Sequence, residues 1–284
     1  MADIELDYAV PAADLLDYIT VIYSFRADVP AFDDCERADH AQLRFRLTSG
    51  GATYRFHDGS VQSPPDLHIV GPTSGPTQVS VIGPVRVVGM GVTAAGWAAM
   101  IGSEASLVLN RAIDAAQVFG AARLRMVADR LRAAPDIAAE AAIIETLIRQ
   151  LVHEGDSSAC AFVRQVDDWL AASPSPEMPD LIATTGLSRR QIERKCNAMY
   201  GAPPTLLARK YRALRAVVAL SADAEVDDVI ARGFYDQSHL IREVKQFTGL
   251  TPRQIRAEPS ILQQLTISQR SALNGQVSPL ISDT

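Results

Sequence analysis

Residues 180–201 and 228–249 carry the same pattern, 48 positions apart. The first stretch reads DLIATTGLSRRQIERKCNAMYG, and the second reads DVIARGFYDQSHLIREVKQFTG. Each has a short apolar helix pattern, a glycine (Gly186 or Gly233), a longer amphipathic helix pattern and a closing glycine. A short helix, a turn and a second helix make a helix-turn-helix. Two copies nearly in register predict two such units in a C-terminal all-α domain.

The second helix of each unit has a signal for its start and two distinct faces. Ser188 and Asp236 are residue types that cap helix N-termini. Arginine, asparagine, glutamine and serine on the outer face are the types that hydrogen-bond base edges, and isoleucine can contact a thymine methyl. Glu193 either accepts from cytosine or pairs along the helix with a neighbouring polar side chain. The predicted base-contacting residues are Arg189, Arg190, Glu193, Arg194 and Asn197 on a helix over about 189–200, and Gln237, Ser238, Ile241, Arg242 and Lys245 on a helix over about 237–248.

A third helix is predicted over residues 205–220, between the two units, with apolar residues at helical spacing. Such a helix spans about 24 Å, and two major-groove windows on one DNA face lie about 34 Å apart. A stiff connector would therefore hold the units at a fixed separation. Its basic residues either approach phosphates or cover acidic neighbours. The predicted DNA-backbone contacts are Ser188, Lys195, Arg209, Lys210, His239 and Thr251.

Charge is distributed unevenly along the chain. The net charge is −6, but residues 177–258 hold 13 Lys and Arg against 10 Asp and Glu, which leaves the remainder at −9. Residues 186–215 contain eight basic residues and one acid. The basic stretch coincides with the repeated pattern, so a nucleic-acid partner fits this part of the chain.

The first hundred residues read as strands. Leu43, Phe45 and Leu47 alternate with polar residues, which predicts a half-buried strand. Further strands are predicted over 53–56, 67–70, 79–82 and 85–92, separated by glycine and proline. Many short strands with frequent turns are typical of a small barrel or sandwich. Phe45, Tyr54, Phe56 and Trp97 either line a pocket in it or fill its core.

Helical stripes follow, and then a break rich in proline and serine. Apolar stripes at helical spacing within residues 124–131, 137–151 and 162–170 form either core or a dimer seam. The segment 173–179 cannot continue a helix. The predicted organisation is a β-rich sensor-like domain over 1–104, a helical linker or dimerisation segment over 105–172, a linker over 173–179, the double helix-turn-helix over 180–258 and a disordered tail over 259–284.

Residues 233–242, with Lys245, Gly249, Thr251 and Pro252, closely resemble the second helix-turn-helix of AraC/XylS-type transcriptional regulators. Gly186, Ser188, Ile192, Arg194 and Gly201 resemble the first, and the resemblance covers about residues 177–257. It implies an α+β protein with an N-terminal cupin-like barrel, helices used for dimerisation, and the DNA-binding domain. The implied partners are double-stranded DNA, a small-molecule effector and a second copy of the chain.

No residue pattern points to catalysis, a metal or a cofactor. The five histidines are scattered, and no nucleophile elbow or phosphate-binding loop occurs. Cys35 has acidic neighbours, Asp34 and Glu36, which oppose thiolate formation. No apolar run reaches membrane-spanning length and no secretory signal is visible, so we expect a cytoplasmic protein without a membrane partner.

The sequence thus predicts a sequence-specific transcriptional regulator that inserts two recognition helices into adjacent major grooves. Its N-terminal domain would modulate it through a ligand or dimerisation. The alternative is a ligand- or protein-binding module whose helix-turn-helix domain no longer reads DNA. Asp228 motivates this alternative, because the family usually has an apolar residue there.

Overall fold

The computed structural model of the chain describes residues 4–153, 159–258 and 260–284, and its N-terminal part is built from strands. Antiparallel pairing gives a six-stranded sheet in the order β1-β2-β9-β4-β7-β10 and a four-stranded sheet in the order β3-β8-β5-β6. The strands of this described part are β1 Ile4–Ala9, β2 Ile19–Ala27, β3 Ala31–Glu36, β4 Ala41–Arg46, β5 Ala52–Phe56, β6 Val61–Gln62, β7 Leu67–Val70, β8 Thr77–Ile82, β9 Val85–Val92 and β10 Ala112–Asp114. The predicted β-rich barrel is confirmed.

Strand β4 has both faces covered, which corrects the prediction of a half-buried strand. Leu43 and Phe45 pack in a core that also holds residues of the following helices. Arg44 lies on the other face and lines a cavity between the two sheets. Arg44 and Arg46 are only 6% and 5% exposed, because each is paired with a carboxylate, Arg44 with Glu36 and Arg46 with Asp66. The polar face of the predicted strand therefore lines the barrel interior and its rim.

The helices after the barrel cover the large sheet and lead to the C-terminal domain. They are α1 Ala94–Met100, α2 Ala115–Phe119, α3 Ala121–Ala133, α4 Ile137–His153 and α5 Cys160–Ala172. The predicted apolar stripes of α3 and α4 join the core of the large sheet, and that of α5 joins a core shared with the C-terminal domain. These stripes are core within the chain rather than an open dimer seam. None of the helices in the described ranges combines the length and hydropathy needed to cross a membrane.

The C-terminal domain contains the two predicted units and the connecting helix. Its helices are α6 Met178–Thr185, α7 Arg189–Tyr200, α8 Pro204–Ser221, α9 Val226–Ala231, α10 Gln237–Thr248 and α11 Pro252–Ala257. Residues 173–177 between α5 and α6 are not helical, and their backbone is held in place by side chains. Trp169 Nε1 donates to the Glu177 carbonyl at 2.8 Å, and Arg215 donates to the Ser173 carbonyl at 3.3 Å.

The predicted disordered tail is wrong, because the chain after residue 259 forms α12 Ile261–Ser271 and α13 Pro279–Ser282. Leu262 and Leu265 of α12 pack against the barrel core, while Ile267 packs against the core of the second helix-turn-helix unit. Gln263 is buried and donates to the carbonyls of Cys35 and Thr248 at 3.1 Å and 2.9 Å. Tertiary contacts on two sides order a segment whose own sequence has little periodicity.

Candidate nucleic-acid interface

The first helix-turn-helix unit consists of α6, a turn and α7. Gly186 ends α6 with a left-handed backbone at φ 64°, a conformation that glycine adopts without steric cost. Ser188 then caps α7: its side chain accepts from the Gln191 backbone N–H, and the Gln191 side chain accepts from the Ser188 backbone N–H. Ile192 and Cys196 are fully buried below α7. Helix α7 thus begins with a complete capping box, as the capping role predicted for Ser188 requires, and has a buried inner face.

The second unit repeats this geometry with α9, a longer turn and α10. The Asp236 carboxylate accepts from the His239 backbone N–H at 2.7 Å. Leu240, Val244 and Phe247 are fully buried, and α10 ends at Gly249, where φ is 78°. Helix α9 spans six residues against eight for α6, so the second unit has the shorter first helix.

Asp228, which motivated the alternative function, does not weaken the second unit. It lies exposed in the first turn of α9, where a negative charge is favourable for the helix dipole. Val229, the next residue, is the one that packs, at 1% exposed. The departure from the family pattern is therefore accommodated without loss of core.

The structure leaves the predicted base-contacting residues open to solvent, on the sides of α7 and α10 that face away from their cores. Glu193 accepts from Arg189 at 2.9 Å, so in the free chain it pairs along the helix. Gln246, near the end of α10, contacts the barrel through His57 at 3.1 Å. The exposed ones are Arg189, Arg190, Arg194, Gln237, Ser238, Ile241, Arg242 and Lys245, and the half-buried ones are Glu193 and Asn197.

Lys210, predicted to contact the DNA backbone, is turned away from solvent. It is 6% exposed, and its Nζ donates to the carbonyl of Asp39 in the barrel at 3.3 Å. Burial, against the opposing charge of Asp39, lowers the pKa of Lys210 to about 8. The predicted phosphate contact is corrected, because this lysine belongs to the contact between α8 and the barrel.

The other predicted backbone residues have mixed environments. Lys195 is half-buried, with Nζ 4.9 Å from the centre of the Phe162 ring. His239 Nδ1 accepts from the Tyr235 backbone N–H at 3.1 Å, so this ring braces the turn before α10. Ser188 and Thr251 cap α7 and α11.

Ion pairs between α8 and α10 are part of the site, and they bear out one of the two roles expected for the basic residues of the connector, which is to cover acidic neighbours. Glu243 is 4% exposed and accepts from Arg209 at 2.7 Å and from Arg212 at 3.4 Å. Arg215 donates to the carbonyls of Leu170 and Ser173. The sequence signal for these ion pairs is weak and consists of Glu243, the acidic residue within α10. Arg212 and Arg215 therefore fix the connector, whereas Arg209 both pairs with Glu243 and stays exposed to solvent.

The barrel encloses a cavity of about 90 Å³ between its sheets, closed on one side by α12. Tyr54 lines it, as the pocket interpretation predicts, whereas Phe45 and Trp97 pack in the core next to the helices. Most of the wall is apolar, and polar groups cluster at the end near α12. The polar lining residues include Tyr8, Tyr23, Arg37, Asp39, Arg44 and Arg270.

Buried arginines outnumber carboxylates at that end of the cavity. Arg44 pairs with Glu36 at 2.9 Å, and Arg270 pairs with Asp39 at 2.5 Å. Arg37 is 4% exposed, and its Nη2 donates to an oxygen of Thr284 at 2.7 Å, whereas Nε and Nη1 have no hydrogen-bond partner. Burial, reinforced by the charge of Arg270, lowers the pKa of Arg37 to about 10. Two N–H donors of a buried guanidinium are therefore unsatisfied.

The three cysteines, Cys35, Cys160 and Cys196, are all reduced and buried. Burial raises the pKa of Cys35 to about 12, and Asp34 and Glu36 add to the effect, in the direction that the sequence predicts. No group of three or more histidine, cysteine or acidic side chains suited to a metal ion occurs among the described residues.

Comparison with known proteins matches one segment of the chain, in the C-terminal domain, to a family model. Residues 181–258 match the family model of a helix-turn-helix domain. Among solved structures, the chain is similar to ToxT from Vibrio cholerae O395, at 9% identity and a TM-score of 0.45 over 85% of this chain and 97% of that one. Unsaturated fatty acid-bound ToxT from Vibrio cholerae strain SCE256 gives 8% identity and a TM-score of 0.44, over 83% and 93% of the two chains.

A further similar structure is the AraC-like transcriptional activator CuxR, at 13% identity and a TM-score of 0.34, over 80% of this chain and 91% of that one. No curated protein sequence matches the chain. The resemblance predicted for residues 177–257 is confirmed: residues 181–258 are a helix-turn-helix domain of the AraC type.

Proposed function

We propose that the protein is a sequence-specific DNA-binding transcriptional regulator that places α7 and α10 in two adjacent major grooves. The observation that carries the proposal is the duplicated unit. Each copy has a capped helix with a buried apolar face and an exposed face of base-reading residue types. We place the boundary between the regulatory part and this DNA-binding part at residues 173–177, since the predicted linker over 173–179 includes the first two residues of α6.

The connector sets the spacing between the two helices. Helix α8 is 18 residues long, or about 27 Å, against about 34 Å between successive major-groove windows. A stiff connector of this length keeps the two recognition helices at a fixed separation on the scale of one turn of DNA. The ion pairs of Glu243 hold α10 against α8.

Base reading falls to the side chains on the exposed faces. Arg194 and Arg242 hold equivalent positions in α7 and α10 and fit the O6 and N7 acceptors of guanine. Asn197 and Gln237 fit adenine, and Ile241 fits a thymine methyl. The remaining members of the proposed base-contacting set are Arg189, Arg190, Glu193, Ser238 and Lys245.

Backbone contacts fall to the start of each helix and to the basic residues beside it. Ser188 and Thr251 stand at helix N-termini, where backbone N–H groups favour a phosphate. Lys195 and Arg209 retain solvent exposure beside α7 and α8. Lys210 leaves the proposed set, because it faces the barrel.

We further propose that a small apolar molecule with an anionic group binds in the barrel and modulates DNA binding. The cavity wall supplies apolar surface, and Arg37 supplies buried N–H donors without partners. An anion beside Arg37 would satisfy those donors. We expect a variant that lacks the Arg37 guanidinium to lose binding of the anionic ligand.

The barrel is connected to the DNA-binding domain through the same groups that surround this cavity. Asp39 holds Arg270 of α12 through its carboxylate and Lys210 of α8 through its carbonyl. The adjacent His40 accepts a hydrogen bond at Nε2 from the Tyr211 hydroxyl of α8, at 2.9 Å, while its Nδ1 bonds Asp39. A ligand that reorganises Asp39 therefore acts directly on the connector between the two units.

The test is capture of fragmented genomic DNA by the full chain, followed by sequencing. The proposal predicts enriched fragments that share one sequence motif. Retention of fragments in the same proportions as the input would overturn it and favour the alternative of a module that does not read DNA.

A further inference from the structure

A second cavity, of about 250 Å³, lies outside the barrel where the barrel, α5, the end of α7, α8 and the chain after α12 meet. It is separate from the barrel cavity, since the two share no lining residue. Its wall is mainly apolar. The apolar lining includes Leu16, Ile19, Ala94, Val163, Leu280 and Ile281.

The polar groups of this wall are acceptors and hydroxyls. The Asp167 carboxyl accepts from the Tyr200 hydroxyl at 2.7 Å, and that hydroxyl also lies 3.2 Å from the Val163 carbonyl. Thr20 lines the same cavity, is 7% exposed, and its Oγ1 has no hydrogen-bond partner. A buried hydroxyl without a hydrogen-bond partner is energetically costly, so the wall offers an unsatisfied polar group to a ligand.

The charge inside the cavity is that of a single carboxyl. Asp17 and Arg164 pair at 3.1 Å in its exposed rim, and their charges cancel. His40 is held neutral, because burial lowers its pKa against the opposing effect of Asp39. Burial raises the pKa of Asp167 to about 7, although the bond from Tyr200 opposes it. The titratable groups that face Asp167 from the elements packed around it are Asp17, His40, Arg164, Asp168, Cys196, Tyr200 and Tyr211.

We propose that this cavity binds a small organic ammonium ion with an apolar body. The ammonium would donate to the Asp167 carboxylate and to Thr20 Oγ1, and the apolar body would fill the wall around Val163 and Leu280. Tyr200 and Tyr211 add aromatic surface, which attracts a desolvated cation. A half-buried carboxylate with one hydrogen-bond donor is poorly solvated, and a bound cation would offset that cost.

Occupancy of this cavity would bear on the first helix-turn-helix unit. Tyr200 is the last residue of α7, and Tyr211 lies on the connector α8. A molecule between them and α5 would brace the end of one recognition helix against the regulatory part of the chain.

The test is isothermal titration of the full chain with 2-phenylethylamine, with 2-phenylethanol as the neutral analogue of the same shape. At pH 7.5 the amine is expected to bind at least about 10-fold more tightly than the alcohol, or about 1.4 kcal/mol. In Asp167→Asn that ratio should fall to about one. Asp168→Asn, which changes the neighbouring exposed carboxylate, is the matched control and should keep the ratio of the unmodified chain.

Proton release gives a second readout that needs no variant. A bound ammonium ionises Asp167, so at pH 7 about half a proton should leave per site, since the pKa is about 7. Titration in two buffers of different ionisation enthalpy measures this number. Absence of amine binding, equal binding of amine and alcohol, a preference that survives Asp167→Asn, or binding without proton release would each overturn the proposal.

Discussion

The guanidinium of Arg209 on the connecting helix lies 2.7 Å from the carboxylate of Glu243 on the second recognition helix. Burial alone would raise the pKa of Glu243, but the hydrogen bond from Arg209 and the charges of Arg209 and Arg212 lower it below its ordinary value. Glu243 is thus ionised at neutral pH and joins α8 to α10. The angle between connector and recognition helix depends on this pair.

Replacement of Glu243 by glutamine should weaken the contact between α8 and α10. We expect a loss of about 1.5–3 kcal/mol in the free energy of unfolding, since a hydrogen bond to a charged group contributes about that much. Because the folded pKa is lowered, the stabilisation is present above the unfolded pKa and is lost as the pH falls through the folded value. Urea denaturation at pH 7 and at pH 3 measures both effects. Glu193→Gln, which breaks the exposed pair with Arg189, is the control, and an equal loss in both variants would contradict the assignment.

Arg194→Ala and Arg242→Ala should each weaken specific DNA binding by about 1–3 kcal/mol if they contact bases in pairs of hydrogen bonds. The loss should be confined to sequences with the preferred base at one position. Fluorescence anisotropy with point-substituted duplexes measures it. Arg125→Ala, at an exposed arginine on α3, should bind as the unmodified chain does, and a uniform loss across all duplexes would reassign the two arginines to phosphates.

The salt dependence of DNA affinity should distinguish Lys195 from Lys210, although the sequence predicts a DNA-backbone contact for both. Each neutralised phosphate contributes about −0.9 to the slope of log affinity against log salt. Lys195→Met should make the slope less steep by about one, because this lysine retains exposure beside α7. Lys210→Met should leave the slope unchanged, because Nζ bonds the barrel. A shallower slope in Lys210→Met would show that the barrel contact opens on DNA.

His68 should make the chain sensitive to acid. Its Nδ1 bonds the Pro65 carbonyl at 2.8 Å and its Nε2 lies 3.0 Å from the Tyr54 hydroxyl. Burial, with the charge of Arg44, lowers its pKa from 6.5 to about 3. Below pH 6.5 only the unfolded chain takes up the proton, so stability falls as the pH drops towards 3, by about 1.4 kcal/mol per pH unit.

Denaturation of the unmodified chain and of His68→Gln at pH 7.5 and 5.5 isolates this contribution, since other groups titrate in both proteins. The free energy of unfolding should fall more on acidification in the unmodified chain. The same change in both proteins would contradict the buried neutral state of His68.

The barrel cavity should distinguish anions from neutral molecules. Octanoate is expected to raise the melting temperature of the full chain, and 1-octanol to raise it less, because only the carboxylate satisfies the free N–H groups of Arg37. In Arg37→Met the two compounds should act alike. Arg125→Met is the matched surface control. An octanoate effect that persists in Arg37→Met would remove Arg37 from the ligand site.

Local signals in the sequence were sufficient for the helix-turn-helix units. Ser188, Asp236 and the glycines Gly186 and Gly249 act within a few residues of themselves, so capping and helix ends follow from composition and spacing. The inward positions follow from the helical period. The strands of the barrel were predicted where turns with glycine bound them, and β1 to β3 were not, since the first glycine of the chain is Gly50. The strands β6 and β10, of two and three residues, were not predicted either.

Long-range contacts account for what the sequence did not predict. Lys210 meets the Asp39 carbonyl across 171 positions of sequence, so its burial has no local signal. The alternating pattern of β4 predicts that Arg44 faces solvent, but Arg44 lines the cavity inside the barrel, where other polar side chains surround it. Helix α12 owes its order to Leu262 and Ile267, which pack on two different domains. In each case the deciding partner lies in a distant part of the chain.

Selection of DNA from a random duplex pool by the full chain, repeated with Arg194→Ala and Arg242→Ala, tests the two-groove account most directly. We predict two conserved half-sites with centres about 10 base pairs apart, the first degraded by one substitution and the second by the other. A pool without enriched sequences, or an enriched motif that both substitutions leave intact, would contradict it.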